Sequence, residues 1–191
     1  YEQYIQDHIL NPLGMAHSTA QSQMPPDLRP FASLGYTYVN AVFQAFPDYL
    51  PQPAGLPSGF HRASVTDMAR FMIARLQGGC YSDTEISEAR ILKESTAQQM
   101  PSTLYTPDPR LLGTAYGLFD WSENSQRTLG HTGYSPPMHS LLMLLPGQYL
   151  GVFVTYNYLS TDLMPPYAVK KLDWYETSGF NMTLALVCIL I

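Results

Sequence analysis

Apolar positions follow a helical period from the first residues, with Tyr1, Tyr4, Ile5 and Ile9 on one face. The spacing predicts a helix that stops at Asn11-Pro12, because the residue before a proline is pushed out of the helical region. Leu13-Gly14-Met15 then reads as a turn. From Ala16 to Phe60 no period is sustained; proline, serine, glutamine and tyrosine dominate, with a short strand expected near Tyr36 to Val39. A segment of that length inside a compact domain is usually functional, often a wall of a cleft.

The clearest helix follows. Ser64-Val65-Thr66-Asp67 is a capping-box-like start, the serine hydroxyl accepting from a first-turn amide and Asp67 suiting the positive helix end. Val65, Met68, Ala69, Met72 and Leu76 form one apolar stripe, closed by Gly78-Gly79. A shorter helix is predicted over Lys93 to Met100, stopped by Pro101.

Beyond Gly113 the pattern becomes that of strands. Thr114 to Trp121, Arg127 to His131, Met138 to Leu145 and Leu150 to Tyr156 are separated by turn residues such as Pro146-Gly147, which predicts an antiparallel meander. Leu141 to Leu145 is continuously apolar, as expected of a strand covered on both faces. Pro165-Pro166 opens a last helix carrying Val169, Leu172 and Trp174. Helices, then a block of strands, then a helix make an α+β domain, helices packed on an antiparallel sheet, over residues 1–176. Residues 177–191 form an apolar tail, uncharged after Glu176, and read either as the start of a transmembrane helix or as a terminal strand or helix on the core. The chain begins with Tyr1 inside a helical pattern, so it reads as a piece of a longer domain.

Composition narrows the function. Ten basic and fifteen acidic residues give a net charge of −5, which offers a phosphate backbone no attraction. Charged residues are 13% of the chain, against roughly 25% in an ordinary soluble domain. Cys80 and Cys188 have no ligand spacing, and no two of the five histidines stand four residues apart as helical ligands would. Neither a metal nor a cofactor is expected. Complete catalytic signatures are missing as well: no serine is followed three residues on by lysine, and there is no Gly-x-Ser-x-Gly.

The informative stretch is Gly130-His131-Thr132-Gly133-Tyr134, followed by a hydrophobic hairpin that ends at Asn157. Asn11-Pro12-Leu13-Gly14-Met15, Pro53-Ala54-Gly55 ahead of Thr66-Asp67-Met68-Ala69-Arg70-Phe71, and Tyr116-Gly117-Leu118 precede it in order. Over Tyr1 to Asn157 the chain resembles the β-lactamase-related serine hydrolases, in the branch of class C β-lactamases, low-molecular-weight penicillin-binding proteins and related esterases. The resemblance implies a β-lactamase/transpeptidase-like fold. It also implies hydrolysis of amide or ester bonds through an acyl-serine, outside the cytoplasm, on β-lactams, D-amino-acid peptides or small esters.

By that resemblance His131-Thr132-Gly133 is the third family motif, in its histidine form, on the strand that edges the active site. His131 is then the catalytic candidate in the place of a lysine, and Thr132 offers a hydroxyl to substrate. Gly133 lets substrate approach the backbone, and the amide of Tyr134 donates to the oxyanion. A free imidazole titrates near about 6.5, so histidine serves there more as a hydrogen-bond relay than as a permanent cation. The nucleophile of Ser-x-x-Lys and the Tyr-x-Asn motif belong upstream of Tyr1; Tyr38-Val39-Asn40 imitates the latter on the wrong side of the Pro-Leu-Gly-Met turn. Pro136-Pro137-Met138 departs from the family's Pro-Gly-aromatic, and Leu118-Phe119 from its Tyr-Gly-x-Gly. The rival reading is a non-catalytic binding module using the same cleft; membrane attachment through the tail is a further expectation.

Overall fold

The computed structural model describes residues 1–40, 42–46, 57–59, 61–84, 87–160 and 185–190. Helix α1 (Glu2–Ile5) runs directly into a wider turn over Gln6–Leu10, in which Asn11 N donates to Gln6 O at 2.9 Å, five residues back. The helix ends where the sequence predicts, but for another reason. Asn11 keeps helical angles (φ −62°, ψ −50°) although it precedes Pro12, and reversal waits for Gly14 at φ +61°.

Strands β1 (Tyr36–Val39) and β2 (Val42–Ala45) form a hairpin within the long irregular excursion. Helix α2 (Val65–Leu76) is the centre of the packing. Ser64 caps it, its Oγ accepting from Asp67 N at 3.1 Å, and Gly78 and Gly79 end it at φ +67° and +83°. The sequence shows one apolar stripe; the helix is in fact buried on two sides. Met72, with Val65, Met68 and Leu76, packs on Leu142, Leu144 and Phe153 of the sheet. Ala74 packs on Leu10, Leu13 and Met15, and Phe71 touches both clusters. Burying a side chain the size of Met72 contributes about 1.5–3 kcal/mol.

Beyond α2 lie the hairpin β3 (Cys80–Thr84) and β4 (Ser87–Arg90), then helix α3 (Glu94–Gln99). The main sheet takes β5 (Gly113–Ala115), β6 (Leu118–Asp120), β7 (Leu129–Ser135), β8 (Met138–Leu145) and β9 (Leu150–Tyr156) as an antiparallel meander. β10 (Tyr158–Ser160) leaves it to pair in parallel with β1, and β11 (Ala185–Leu190) adds to β9, giving the order β11-β9-β8-β7-β6-β5. A glycine at 151 is what lets α2 approach β9: a Cβ there would stand 3.1 Å from Met72 Sδ.

Two expectations are corrected, and a third segment takes one of the forms left open. Thr114 to Trp121 is not one strand but a hairpin, turned tightly by Tyr116 (φ +46°) and Gly117 (φ +84°) between β5 and β6. Leu141 to Leu145 is fully buried on one face only: Leu142 and Leu144 lie under α2, while Leu141, Met143 and Leu145 are half-buried. The apolar run 177–191 supplies a sheet strand at Ala185–Leu190, and among the described residues no helix is long and apolar enough to cross a membrane. The helix expected after Pro165-Pro166 and the Pro53-Ala54-Gly55 segment lie outside the described residues.

Candidate active site

The His-Thr-Gly triplet lies inside β7, and the strand has two unlike edges. On one side β8 pairs with it from Leu129 to Ser135. On the other, β6 partners only Leu129 and Gly130, so among the described strands His131 to Ser135 run on as a bare edge. Trp121 N donates to Thr128 O at 2.9 Å. Antiparallel ladders alternate, so the amides of Gly130, Thr132 and Tyr134 point to the β6 side and those of His131 and Gly133 to β8. The amides of Thr132 and Tyr134 therefore face the bare edge.

The same alternation sorts the side chains. Leu129 and Gly133 share a face with their β8 partners Leu144 and Ser140, the face that α2 covers, whereas His131, opposite Leu142, turns its ring around the bare edge to Phe119, the partner of Gly130 on the other face. Thr132 and Tyr134 share the other. His131 is exposed, its ring stacked on Phe119 at 5.4 Å and 20°, with Phe119 in turn stacked on Trp121 at 6.3 Å. Among the described residues neither ring nitrogen of His131 has a hydrogen-bond partner. The imidazole is held by its face and free at its nitrogens. At Gly133 a Cβ would come within 2.3 Å of Ser140 Oγ, so the space left by the missing side chain holds that hydroxyl. Thr132 is exposed, and the Tyr134 side chain is 59% exposed.

Around this edge the fold supplies supports that no local sequence signal reveals. Phe119 is one, placed by the β5–β6 hairpin. A second is a polar cluster behind the start of β7: Thr103 Oγ1 donates to Asp120 Oδ2 at 2.6 Å, and Ser122 N to Oδ1 at 3.0 Å. Arg127 bonds Asp120, Thr103 Oγ1 and the carbonyl of Pro101. Burial pushes the Asp120 carboxyl up, but the hydrogen bonds from Ser122 and Thr103 and the Arg127 charge outweigh it and hold the group at about 2. The third support is the excursion before α2. Asn157 Nδ2 donates to Leu34 O at 2.7 Å, and Gly35 lies against the Pro137 ring, where a Cβ would stand 2.2 Å from Cγ. The excursion thus meets the Pro136-Pro137 turn (a cis peptide) that joins β7 to β8.

Tyr134, His139 and Tyr156 are cross-strand partners in a row, with His139 stacked on Tyr156 at 4.4 Å and 10°. Burial pushes the His139 imidazole below its usual range. Asp67, in the first turn of α2 as the sequence predicts, also accepts from His17 N at 2.8 Å and Ser18 Oγ at 2.7 Å and is 3% exposed. Together with Arg70, which donates to Gly14 O at 2.6 Å, it ties α2 to the Leu13-Gly14-Met15 turn. Two of the sequence landmarks are therefore bonded to each other. Tyr38-Val39-Asn40 lies in β1 and its turn, in the three-stranded sheet β10-β1-β2, whereas His131 is in the main one.

Helices on an antiparallel sheet, with a His-Thr-Gly strand bared along one edge, define an α+β domain of the β-lactamase/transpeptidase type. The chain belongs to the Beta-lactamase family, whose model matches residues 1–170. Its fold is similar to that of an octameric penicillin-binding protein homologue from Pyrococcus abyssi, with a TM-score of 0.62 and 22% identity over 82% of this chain and 33% of that one. A D-stereospecific amidohydrolase from Streptomyces sp. gives a TM-score of 0.59 and 22% identity, over 83% of this chain and 44% of that one. A class C β-lactamase gives 0.62 and 16%, over 83% and 46%. At such identities the likeness is one of fold. The chain spans from a third to just under half the length of these solved relatives. No curated protein sequence matches it.

Proposed function

We propose that the protein containing this chain is an extracytoplasmic serine hydrolase that cleaves amide or ester bonds through an acyl-serine intermediate. Its nucleophile and the base that activates it come from outside residues 1–191. The observation that carries the reading is the bare edge of β7, where the Tyr134 amide points away from β8 with none of the described strands opposite. A rigid edge strand presents such a donor already oriented, which is what a developing oxyanion needs. His131 stands three residues before it on the same strand, with no hydrogen-bond partner at either ring nitrogen among the described residues, in position to bond a substrate carboxylate or relay a proton. Thr132 offers its hydroxyl alongside. The substrates in this reading are β-lactams, D-amino-acid peptides or small esters, as befits a chain similar in fold to an amidohydrolase and a β-lactamase.

The test is covalent labelling of the full-length protein with a fluorescent penicillin and a fluorophosphonate, with turnover of a chromogenic ester followed in parallel. Labelling on one serine, abolished by substituting that serine with alanine, is expected. A folded full-length protein that takes up neither label and turns over no ester is instead a binding module.

A further inference from the structure

Strand β6 is anchored by alternate residues. Leu118 packs against the cluster of Met72, Leu142, Leu144 and Phe153, and Asp120 is bonded to Thr103 and Arg127. Alternation therefore turns Phe119 and Trp121 to the opposite face. There Trp121 lies over Gly130, where a Cβ would stand 2.1 Å from Cζ3, and Phe119 stacks on Trp121 with 14° between the rings. His131 is the last ring of this row, its imidazole 5.4 Å from that of Phe119 at 20°. Phe119 is 38% exposed, so its place against the imidazole is not dictated by burial in the core.

A site imidazole is ordinarily oriented by a hydrogen bond at its second nitrogen, to a carboxylate or a backbone carbonyl, and that bond occupies the nitrogen and fixes the tautomer. His131 has no such bond among the described residues. Its ring leaves the side of its cross-strand partner Leu142 and takes its orientation from an aromatic contact instead. Rings stacked at such a separation favour their arrangement over an unstacked one by roughly two- to tenfold, without engaging a donor or an acceptor. We infer that Phe119 is the positioning residue of His131: its ring fixes the plane of the imidazole at the bare edge and leaves both nitrogens to substrate and proton transfer. Trp121 and the Asp120 cluster in turn hold Phe119. The inference rests on the proposed function, in which His131 bonds substrate or relays a proton, and adds to it a residue that acts only through His131.

The experiment is a double-mutant cycle in the full-length protein, read as kcat/KM for a chromogenic ester. Phe119→Leu keeps an apolar side chain on β6 and removes the ring. It is expected to lower kcat/KM by roughly two- to tenfold, whereas Phe119→Tyr, which keeps the ring, stays within about twofold of the parent. In the His131→Ala background the Phe119→Leu change is expected to cost nothing further. A fall of equal size with and without His131, an equal fall for Phe119→Tyr, or no fall at all overturns the inference. The His131 ring protons supply a second readout in the NMR spectrum of the full-length protein, where their loss in His131→Ala identifies them. They are expected upfield of free histidine, under the Phe119 ring current, and to return toward it in Phe119→Leu; ring protons that do not move end the inference. If Phe119→Leu does not fold, Phe119→Met, which packs without a ring, takes its place. Ring protons already at the free-histidine position in the parent end the inference without any variant. Fluorophosphonate labelling of the parent is scored first. A parent that takes no label and turns over no ester removes the proposed function and this inference together. A labelled parent with no coupling between Phe119 and His131 removes this inference alone.

Discussion

Tyr134 is read through its backbone and not its ring. The side chain is largely exposed, while the amide points to the bare edge of β7. Two substitutions separate the parts. Tyr134→Ala keeps the amide and is expected to leave the acylation rate within about threefold of the parent, whereas Tyr134→Pro removes the donor and lowers it by about 10²–10³. An edge position whose amide faces no strand is where a sheet tolerates proline, so the second variant is expected to fold. Equal rates for the two, in stopped-flow acylation, would remove the amide from the mechanism. His131 makes the complementary case. A lysine there supplies a permanent cation, so His131→Lys is expected to raise kcat/KM for anionic over neutral substrates by roughly tenfold, about 1.4 kcal/mol. An unchanged ratio contradicts that role.

Asp120 gives a pH dependence with a definite sign. Its folded pKa of about 2 lies below the ordinary value of 3.8, so the folded state favours the ionised form. The stabilisation is complete above the unfolded value and is lost as pH falls through the folded one. Asp120→Asn is expected to cost on the order of 1 kcal/mol at pH 7, a difference that shrinks between pH 4 and pH 2. Melting curves across that range check it; a cost independent of pH places the effect in packing. At this scale the sequence is least informative. The motif residues His131 to Tyr134 are legible as a string, but Phe119 beneath the imidazole, Ser140 against Gly133 and Asp67 tied to His17 and Ser18 are products of tertiary register that no local spacing encodes.

At the scale of elements, legibility follows how many independent signals agree. Helix α2 has a capping serine, an apolar stripe and a glycine pair, and it lies where they say. Its second buried face, through Phe71 and Ala74, is hidden because small and aromatic side chains on a polar-looking face give no period. The β5–β6 hairpin is missed because a tyrosine sits at positive φ, where glycine or asparagine is the usual mark. The β6–β7 pairing rests on Gly130, where a Cβ would stand 2.1 Å from Trp121 Cζ3 and 2.7 Å from the backbone oxygen of Leu142. Only one of those neighbours is a movable side chain. Gly130→Ala is therefore expected to destabilise by about 3 kcal/mol, read from the denaturant midpoint. A shift within a few tenths of a kcal/mol would mean that Trp121 is not seated on the strand.

For the whole molecule, the α+β architecture and the meander are legible because strand and helix periods are separate along the chain. The closing of the sheet by β11 and the parallel pairing of β1 with β10 are not, since both join segments far apart in sequence. Those long-range joins shape the surroundings of the site: β10 and Asn157 bring the excursion from Leu34 onward against the β7–β8 turn. Asp67, Arg70 and Met72 fix α2 against both the opening turn and the sheet. The most direct measurement is a crystal structure of the full-length protein acylated on its serine. The account predicts the acyl carbonyl oxygen within about 3 Å of the Tyr134 amide nitrogen. An acyl-serine whose carbonyl oxygen is held elsewhere, with the Tyr134 amide bonded to solvent or to another strand, contradicts it.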